Sequence, residues 1–148
     1  MNTMQIDEIF KKYSYTRKIY KGTRAFDELP KKIMKPSAYI INTETRDKDG
    51  EHWIAIYYNK YGNVEFFDSF GLGPAFYGLE DFLLKTSNKC FYNTFALQSL
   101  NSEYCGYYCV LFVLFKCKKK SFLNFLNHFD QDTFINDKHI KKLIEQFY

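Results

Sequence analysis

The sequence predicts an α+β fold, a small mostly antiparallel sheet packed by helices. Two patterns predict it. Between residues 38 and 68, short apolar runs are separated by turn residues, as in strands joined by tight connections. From residue 106 onward the pattern changes, and a run that is apolar nearly all round is followed by two amphipathic segments. A chain of 148 residues fits one compact domain, so residues 1–148 are read as a single unit.

The elements follow in order. Residues 3–13 read as a short helix with Thr3 as cap and Ile6, Ile9, Phe10 and Tyr13 on one face. Asp7 and Glu8 are placed in its first turn and Lys11 and Lys12 in its last, which suits the helix dipole. Residues 14–36 read as mostly irregular, punctuated by Gly22, Pro30 and Pro36. Residues 38–43 read as a strand, and Asp49-Gly50 as a turn after it. Residues 52–58 and 64–68 read as two strands joined through Gly62 in a hairpin or meander. Gly71, Gly73 and Pro74 end that unit, residues 79–85 read as a helix, and 91–98 as a strand. Residues 106–116 read as a buried helix. Ser121 caps a helix that carries Phe122, Phe125, Leu126 and Phe129 on one face. A last helix over 137–147, capped by Asn136, buries Ile140, Leu143, Ile144 and Phe147.

Composition narrows the function classes. Apolar residues at 46% and charged residues at 26% match an ordinary globular chain, which excludes disorder over the whole length. The longest apolar run, 107–115, has nine residues where a membrane span needs about 20, so no membrane role is expected. The first residues carry neither a basic region nor an apolar one, so no signal peptide is expected. Aromatics reach 20%, and all basic residues but Arg17, Arg24 and Arg46 are lysine. Phe, Tyr, Lys, Asn and Ile have AT-rich codons, so genome composition accounts for this bias without any function. The net charge of +4 is mild, and the lysine clusters at 31–35, 116–120 and 138–142 read first as solvated faces and second as a nucleic-acid track.

The four cysteines, Cys90, Cys105, Cys109 and Cys117, have neither zinc-ribbon spacing nor a secretory context. Free thiols are expected, and no metal. One of them stands where chemistry can be built. His52 precedes two strands, Asp68 ends the second, and Cys105 opens the buried helix with Gly106 after it. A thiol protease needs a thiolate, a His to take and return the proton, and a third group to orient the imidazole. An ordinary thiol is only a few per cent thiolate at pH 7, and a helix N-terminus with a neighbouring imidazolium lowers its pKa. Cys109, one turn further in, reads as core. Each residue also has a plain reading: a histidine beside a tryptophan packs, and a cysteine before an apolar run is core.

The local strings add a resemblance. The segment 41–43 and then Gly50-Glu51-His52-Trp53-Ile54-Ala55-Ile56 resembles the catalytic-histidine region of the adenovirus maturation protease (adenain) family. Phe67-Asp68-Ser69-Phe70-Gly71 resembles its acidic motif. Gln98 through Asn101-Ser102 to Cys105-Gly106-Tyr107-Tyr108-Cys109 resembles its Gln…Cys-Gly-x-x-Cys signature, with seven positions from Gln98 to Cys105. Gly22-Thr23 and 27–30 look like its lead-in, so the matches run in order from about residue 20 to 115. The resemblance implies the cysteine-protease fold shared by adenain and the ubiquitin-like-protein proteases, with the nucleophile at the N-terminus of the buried helix. It implies Cys105 as nucleophile, His52 as general base and then acid, and Asp68 as the group that orients it. Gln98 would donate to the oxyanion, Trp53 would wall the site, and Cys90 lies in the general place of a thiol that tethers an activating peptide. Asp68 departs from the usual Glu, Ser99-Leu100 replaces a Gly-Pro step, and the chain is shorter, as in the related proteases of virophages and Polinton elements.

Three functions are weighed. The first is a viral cysteine endopeptidase, expected as a monomer, that cleaves capsid and core precursors after small, Gly-type residues in the virion or inside the infected cell. No cofactor is needed for its chemistry, and an activating peptide and DNA are its candidate effectors. The second is a deubiquitinase or deSUMOylase-like effector, which Asp68 favours. The third is a non-catalytic capsid or nucleic-acid binding protein, which the lysines and aromatics favour.

Overall fold

The computed structural model describes residues 1–48 and 52–147, with the backbone alone for residue 147. The Asp49-Gly50 turn, Glu51 and the side chain of Phe147 lie outside the described residues. A five-stranded sheet has the spatial order β1-β2-β3-β4-β5, with β1 at Tyr20–Arg24, β2 at Ser37–Asn42, β3 at Trp53–Tyr58, β4 at Val64–Phe67 and β5 at Cys90–Tyr92. The two central ladders are antiparallel, and both edge strands join in parallel. The helices are α1 (Thr3–Lys11), α2 (Ser14–Ile19), α3 (Glu80–Thr86), α4 (Cys105–Cys117), α5 (Phe122–Leu126) and α6 (Thr133–Phe147). The α+β class expected from the apolar runs is the observed one.

Both faces of the sheet are covered, which is why β2 and β3 read as near-continuous apolar runs. Alternate residues supply the two sides. Ala38, Ile40, Ala55 and Phe67 face a core shared with α1, α4, α5 and α6. Tyr39, Ile41, Ile54, Ile56 and Phe66 face a second core closed by Leu79 and Leu83. Helix α4 lies in the middle of the first core and packs against β3, α2, α5 and α6. Eight consecutive residues of it, from Tyr108 to Phe115, are fully buried, so it has no polar face to show. No described helix is long and apolar enough to cross a membrane. The abundant aromatics have a packing role. The Phe125 ring stands edge-on to Phe67, Phe112, Phe115 and Phe129 at centroid distances of 5.1–5.4 Å, the geometry that aromatic quadrupoles favour.

Four local expectations are corrected. Asn2, not Thr3, caps α1. Its Oδ1 accepts from the Gln5 N–H and the Gln5 Oε1 accepts from its own N–H, both at 2.9 Å, a reciprocal box that Thr3 has no matching partner to form. The helix then ends at Lys11, so Tyr13 and Lys12 fall outside it, and Asp7 falls beyond the first turn. Residues 14–36 hold α2 and β1. The buried Thr16 hydroxyl donates to the Phe10 and Tyr13 carbonyls and fastens α2 to α1, and Tyr20 stacks on Phe10 at 4.1 Å. Strand β1 was hidden because an edge strand with Lys21, Gly22 and Arg24 shows no apolar alternation. The expected strand over 91–98 is only β5. Beyond it the Leu97 and Gln98 N–H groups both donate to the Ser69 carbonyl instead of a ladder. Finally α6 starts at Thr133, with Asp132 Oδ1 accepting from Phe134 N–H, and Asn136 sits buried inside the helix.

The register places the site. Ala55 pairs with Phe67, so His52, just before β3, and Asp68, just after β4, emerge at one end of the sheet. Gly71 closes the turn after β4 in the left-handed region at φ +72°, and a Cβ there would stand 2.4 Å from the Phe95 carbonyl carbon. Gly71→Ala should destabilise the protein by more than about 1–2 kcal/mol, since the backbone penalty alone has that size and a backbone clash adds to it. Urea unfolding checks this, and an unchanged midpoint would contradict the close approach.

Candidate active site

Asp68 is fully buried, and four donors hold its carboxylate. His52 Nε2 lies 2.6 Å from Oδ1, the Phe70 N–H donates to Oδ1, and the Leu72 N–H and Tyr77 hydroxyl donate to Oδ2. The local sequence makes this possible, because an aspartate at a turn accepts from the N–H groups that follow it. A buried carboxylate without partners would cost several kcal/mol. The backbone of Asp68 is held as firmly. Asn93 Oδ1 accepts from its N–H at 3.1 Å, and Asn93 Nδ2 donates to its carbonyl at 2.7 Å. An ionised carboxylate only accepts, so His52 Nε2 carries the proton and Nδ1 is left for the thiol. The imidazole is stacked on Phe70 at 4.6 Å and lies 5.8 Å from the Tyr77 ring, which fixes its plane.

Cys105 is the first residue of α4, where the helix presents unpaired N–H groups. Burial disfavours its thiolate. The hydrogen bond and charge of His52 and the backbone N–H groups of Trp53 and Gly106 outweigh that, and hold the thiol below its ordinary value. Burial likewise disfavours a charged His52, but hydrogen bonds and charges from Asp68 and Cys105 outweigh it and push the imidazole up to about 9. The two groups therefore favour a thiolate–imidazolium pair. The other thiols go the opposite way. Burial pushes Cys117 up to about 12 and raises the fully buried Cys109 well above its ordinary value, while burial and then Glu80 raise Cys90.

Gln98 is almost wholly buried. Its Oε1 accepts from the Ser69 hydroxyl at 2.5 Å, and its Nε2 donates to the carbonyl and the hydroxyl of Ser102, both at 2.8 Å. The segment around it is moored to α6. Asn136 Nδ2 donates to the Leu97 carbonyl at 3.0 Å, and Asp137 accepts from the Ser99 and Tyr108 hydroxyls at 2.5 and 2.7 Å.

His52, Cys105 and Gln98 line one cleft of about 250 Å³, walled by Trp53, Phe70 and Met1. Trp53 Nε1 donates to the Met1 carbonyl at 3.0 Å, and a polar hollow of about 560 Å³ adjoins the cleft across these two residues. The structure thus brings together His52, Trp53, Asp68, Gln98 and Cys105. It does not bring Cys90 to them, for that thiol lines a separate cavity of about 260 Å³ with Pro74, Leu83 and Tyr92. Sequence reasoning missed Ser69, Tyr77 and Asn93 as supports of the site. Tyr77 and Asn93 are polar residues in an aromatic-rich stretch, with no spacing that points to Asp68.

Iodoacetamide at pH 6 should alkylate Cys105 at least about tenfold faster than the other three thiols, because only its thiolate is favoured. His52→Ala should remove that selectivity. Peptide mass mapping reads both, and even labelling of all four cysteines in the wild type would contradict the pairing.

Comparison with known proteins bears on the same residues. The model of the adenovirus endoprotease family matches residues 26–143. The protease of Bovine adenovirus C serotype 10 is 35% identical over 88 residues, covering 50% of this chain and 45% of that one, so the chain spans about half the length of that relative. The crystal structure of an ASFV protease superposes with a TM-score of 0.55 at 17% identity, over 91% of this chain and 63% of that one, which is a likeness of fold. With the family model covering β2 to β5, the acidic turn, Gln98 and the helix that opens at Cys105, the chain belongs to the adenovirus endoprotease family.

Proposed function

We propose that the protein is a viral cysteine endopeptidase that cleaves capsid and core precursors after small, Gly-type residues. The observation that carries the reading is the imidazole of His52, bonded to a fully buried carboxylate on one nitrogen and to the Cys105 thiol as its other partner. In this mechanism the Cys105 thiolate attacks the scissile carbonyl carbon. The carbonyl π pair moves to oxygen, and the oxyanion is met by the Cys105 N–H and the Gln98 amide. Both Nε2 protons of Gln98 are engaged by Ser102, so the oxyanion takes one of them over from Ser102. His52 then gives its proton to the leaving amine, the C–N bond breaks, and a thioester remains. His52 next takes a proton from water, the hydroxide attacks the thioester, and Cys105 leaves as thiolate with the acid product. Asp68 keeps the imidazole in the required tautomer and plane throughout. A cleft walled by Trp53 and Phe70 suits a small residue at the scissile bond.

The same reading includes an activating peptide, DNA as an effector, and work in the virion or infected cell as a monomer. Lys118, Lys141 and Lys142 are exposed cations for a phosphate backbone, and such binding should weaken steeply with salt. A peptide tether at Cys90 is the least supported part, since burial raises that thiol; intact mass with a capsid-derived peptide tests it, and no adduct removes it. A second reading keeps the chemistry and changes the substrate to ubiquitin-like proteins, favoured by the Asp at position 68. Ubiquitin and SUMO probes should leave the protein unlabelled under the first reading and label it under the second.

Cys105→Ala and His52→Ala should abolish cleavage of capsid-precursor peptides. Asp68→Asn should leave a residue of activity, and Gln98→Ala should lower the rate by about 10²–10³. The profile of kcat/KM against pH should rise as Cys105 loses its proton below 9, and fall as His52 loses its own near 9. Cleavage that survives in Cys105→Ala would overturn the assignment.

A further inference from the structure

We propose that Ser69 is the positioning residue for the oxyanion donor, and that its hydroxyl, bonded to Oε1, holds the Gln98 amide with its donating end toward the cleft. The proposal rests on the peptidase reading and assigns a further residue to it. A glutamine amide has a donating end and an accepting end of nearly equal shape, so only its partners decide which way it points. Ser69 is fully buried, and its hydroxyl donates to Gln98 Oε1 at 2.5 Å. The Ser102 carbonyl can only accept, and it takes a proton of Nε2 at 2.8 Å. A flipped amide would put Oε1 against that carbonyl, where two acceptors repel. The Ser102 carbonyl therefore imposes one orientation and the Ser69 hydroxyl holds it, with Nε2 on the side that the cleft shares with Cys105.

The partners differ in what substrate does to them. Ser102 lines the cleft and gives up one proton of Nε2 when the oxyanion forms. Ser69 stands behind the amide, out of the substrate's reach, so its hydrogen bond persists through the reaction. It is then the hold that keeps Nε2 aimed while the Ser102 contact is exchanged. A hydrogen bond accepted at Oε1 also polarises the amide and strengthens its N–H groups as donors. The backbone reinforces the pairing, because the Ser69 carbonyl accepts from the N–H of Gln98 at 3.1 Å and of Leu97 at 2.8 Å. Asp68 and Ser69 are consecutive, so one turn aims the imidazole through the first residue and the oxyanion donor through the second. The Asn93 side chain pins that turn.

The test is a double-mutant cycle with a spectroscopic arm. Ser69→Ala should lower kcat about tenfold, the size expected when one buried hydrogen bond is lost. KM and the rate of Cys105 alkylation at pH 6 should stay within about twofold, because the thiolate does not depend on Ser69. In a Gln98→Ala background the same substitution should cost nothing further. Equal losses in both backgrounds would overturn the proposal, as would a slower alkylation that reveals general disruption. The second arm does not need turnover. The side-chain amide resonances of Gln98 in ¹⁵N NMR, assigned by their absence in Gln98→Ala, should shift and exchange faster with water in Ser69→Ala. The Asn93 pair should stay in place. Unmoved Gln98 resonances would overturn the proposal. A wild type that cleaves nothing, combined with Gln98 resonances that move, would overturn the peptidase reading and leave the hold of Ser69 on the amide standing.

Discussion

The carboxylate of Asp68 is the point from which the site is built. It is wholly out of water, and a charge there is tolerable only because donors surround it: an imidazole, two backbone N–H groups and a phenol. Each donor comes from a different constraint. The imidazole needs β3 in register with β4. The N–H groups need the chain to turn at Gly71, and the turn needs a residue without a Cβ because the Phe95 backbone lies against it. The phenol needs Tyr77 delivered by the turn at Pro74–Tyr77. Removing any of these leaves a buried charge short of a partner, so the geometry is cooperative.

The thiol is reached from that carboxylate in one step. Asp68 favours the imidazolium, and the imidazolium favours the Cys105 thiolate against the cost of burial. Helix α4 adds its N-terminal N–H groups at the same spot. The contrast with Cys109 is instructive. It lies one turn along the same helix, yet burial first, and then the charges of Cys105 and Asp68, raise it, and it stays a thiol. The two cysteines differ only in what their surroundings supply, and that difference favours the thiolate at Cys105 and the neutral thiol at Cys109.

The C-terminal part of the chain acts on the site from a distance. Asn136 and Asp137 of α6 hold the carbonyl of Leu97 and the hydroxyl of Ser99, on either side of Gln98. Residues 93–104 have almost no ladder of their own, so these side chains replace one. That explains how a segment without regular structure can hold the Gln98 side chain in one place.

The sequence by itself determined the parts whose signal is local. Apolar runs marked β2, β3, β4 and α4, Ser121 marked the cap of α5, and the strings around His52, Asp68, Gln98 and Cys105 marked the four residues that the fold gathers. What it could not carry was set by partners far along the chain. Strand β1 pairs at an edge and shows no alternation. Asn136 reads locally as a cap and is in fact a buried clamp on Leu97. Ser69 is an ordinary turn serine until Gln98 is folded against it. Local propensity depends on neighbours within a few residues, and periodicity reports which face is buried. The choice of hydrogen-bond partner for a buried polar side chain depends on which backbone and side-chain groups the packed sheet and helices bring within 3 Å, and only the tertiary structure decides that.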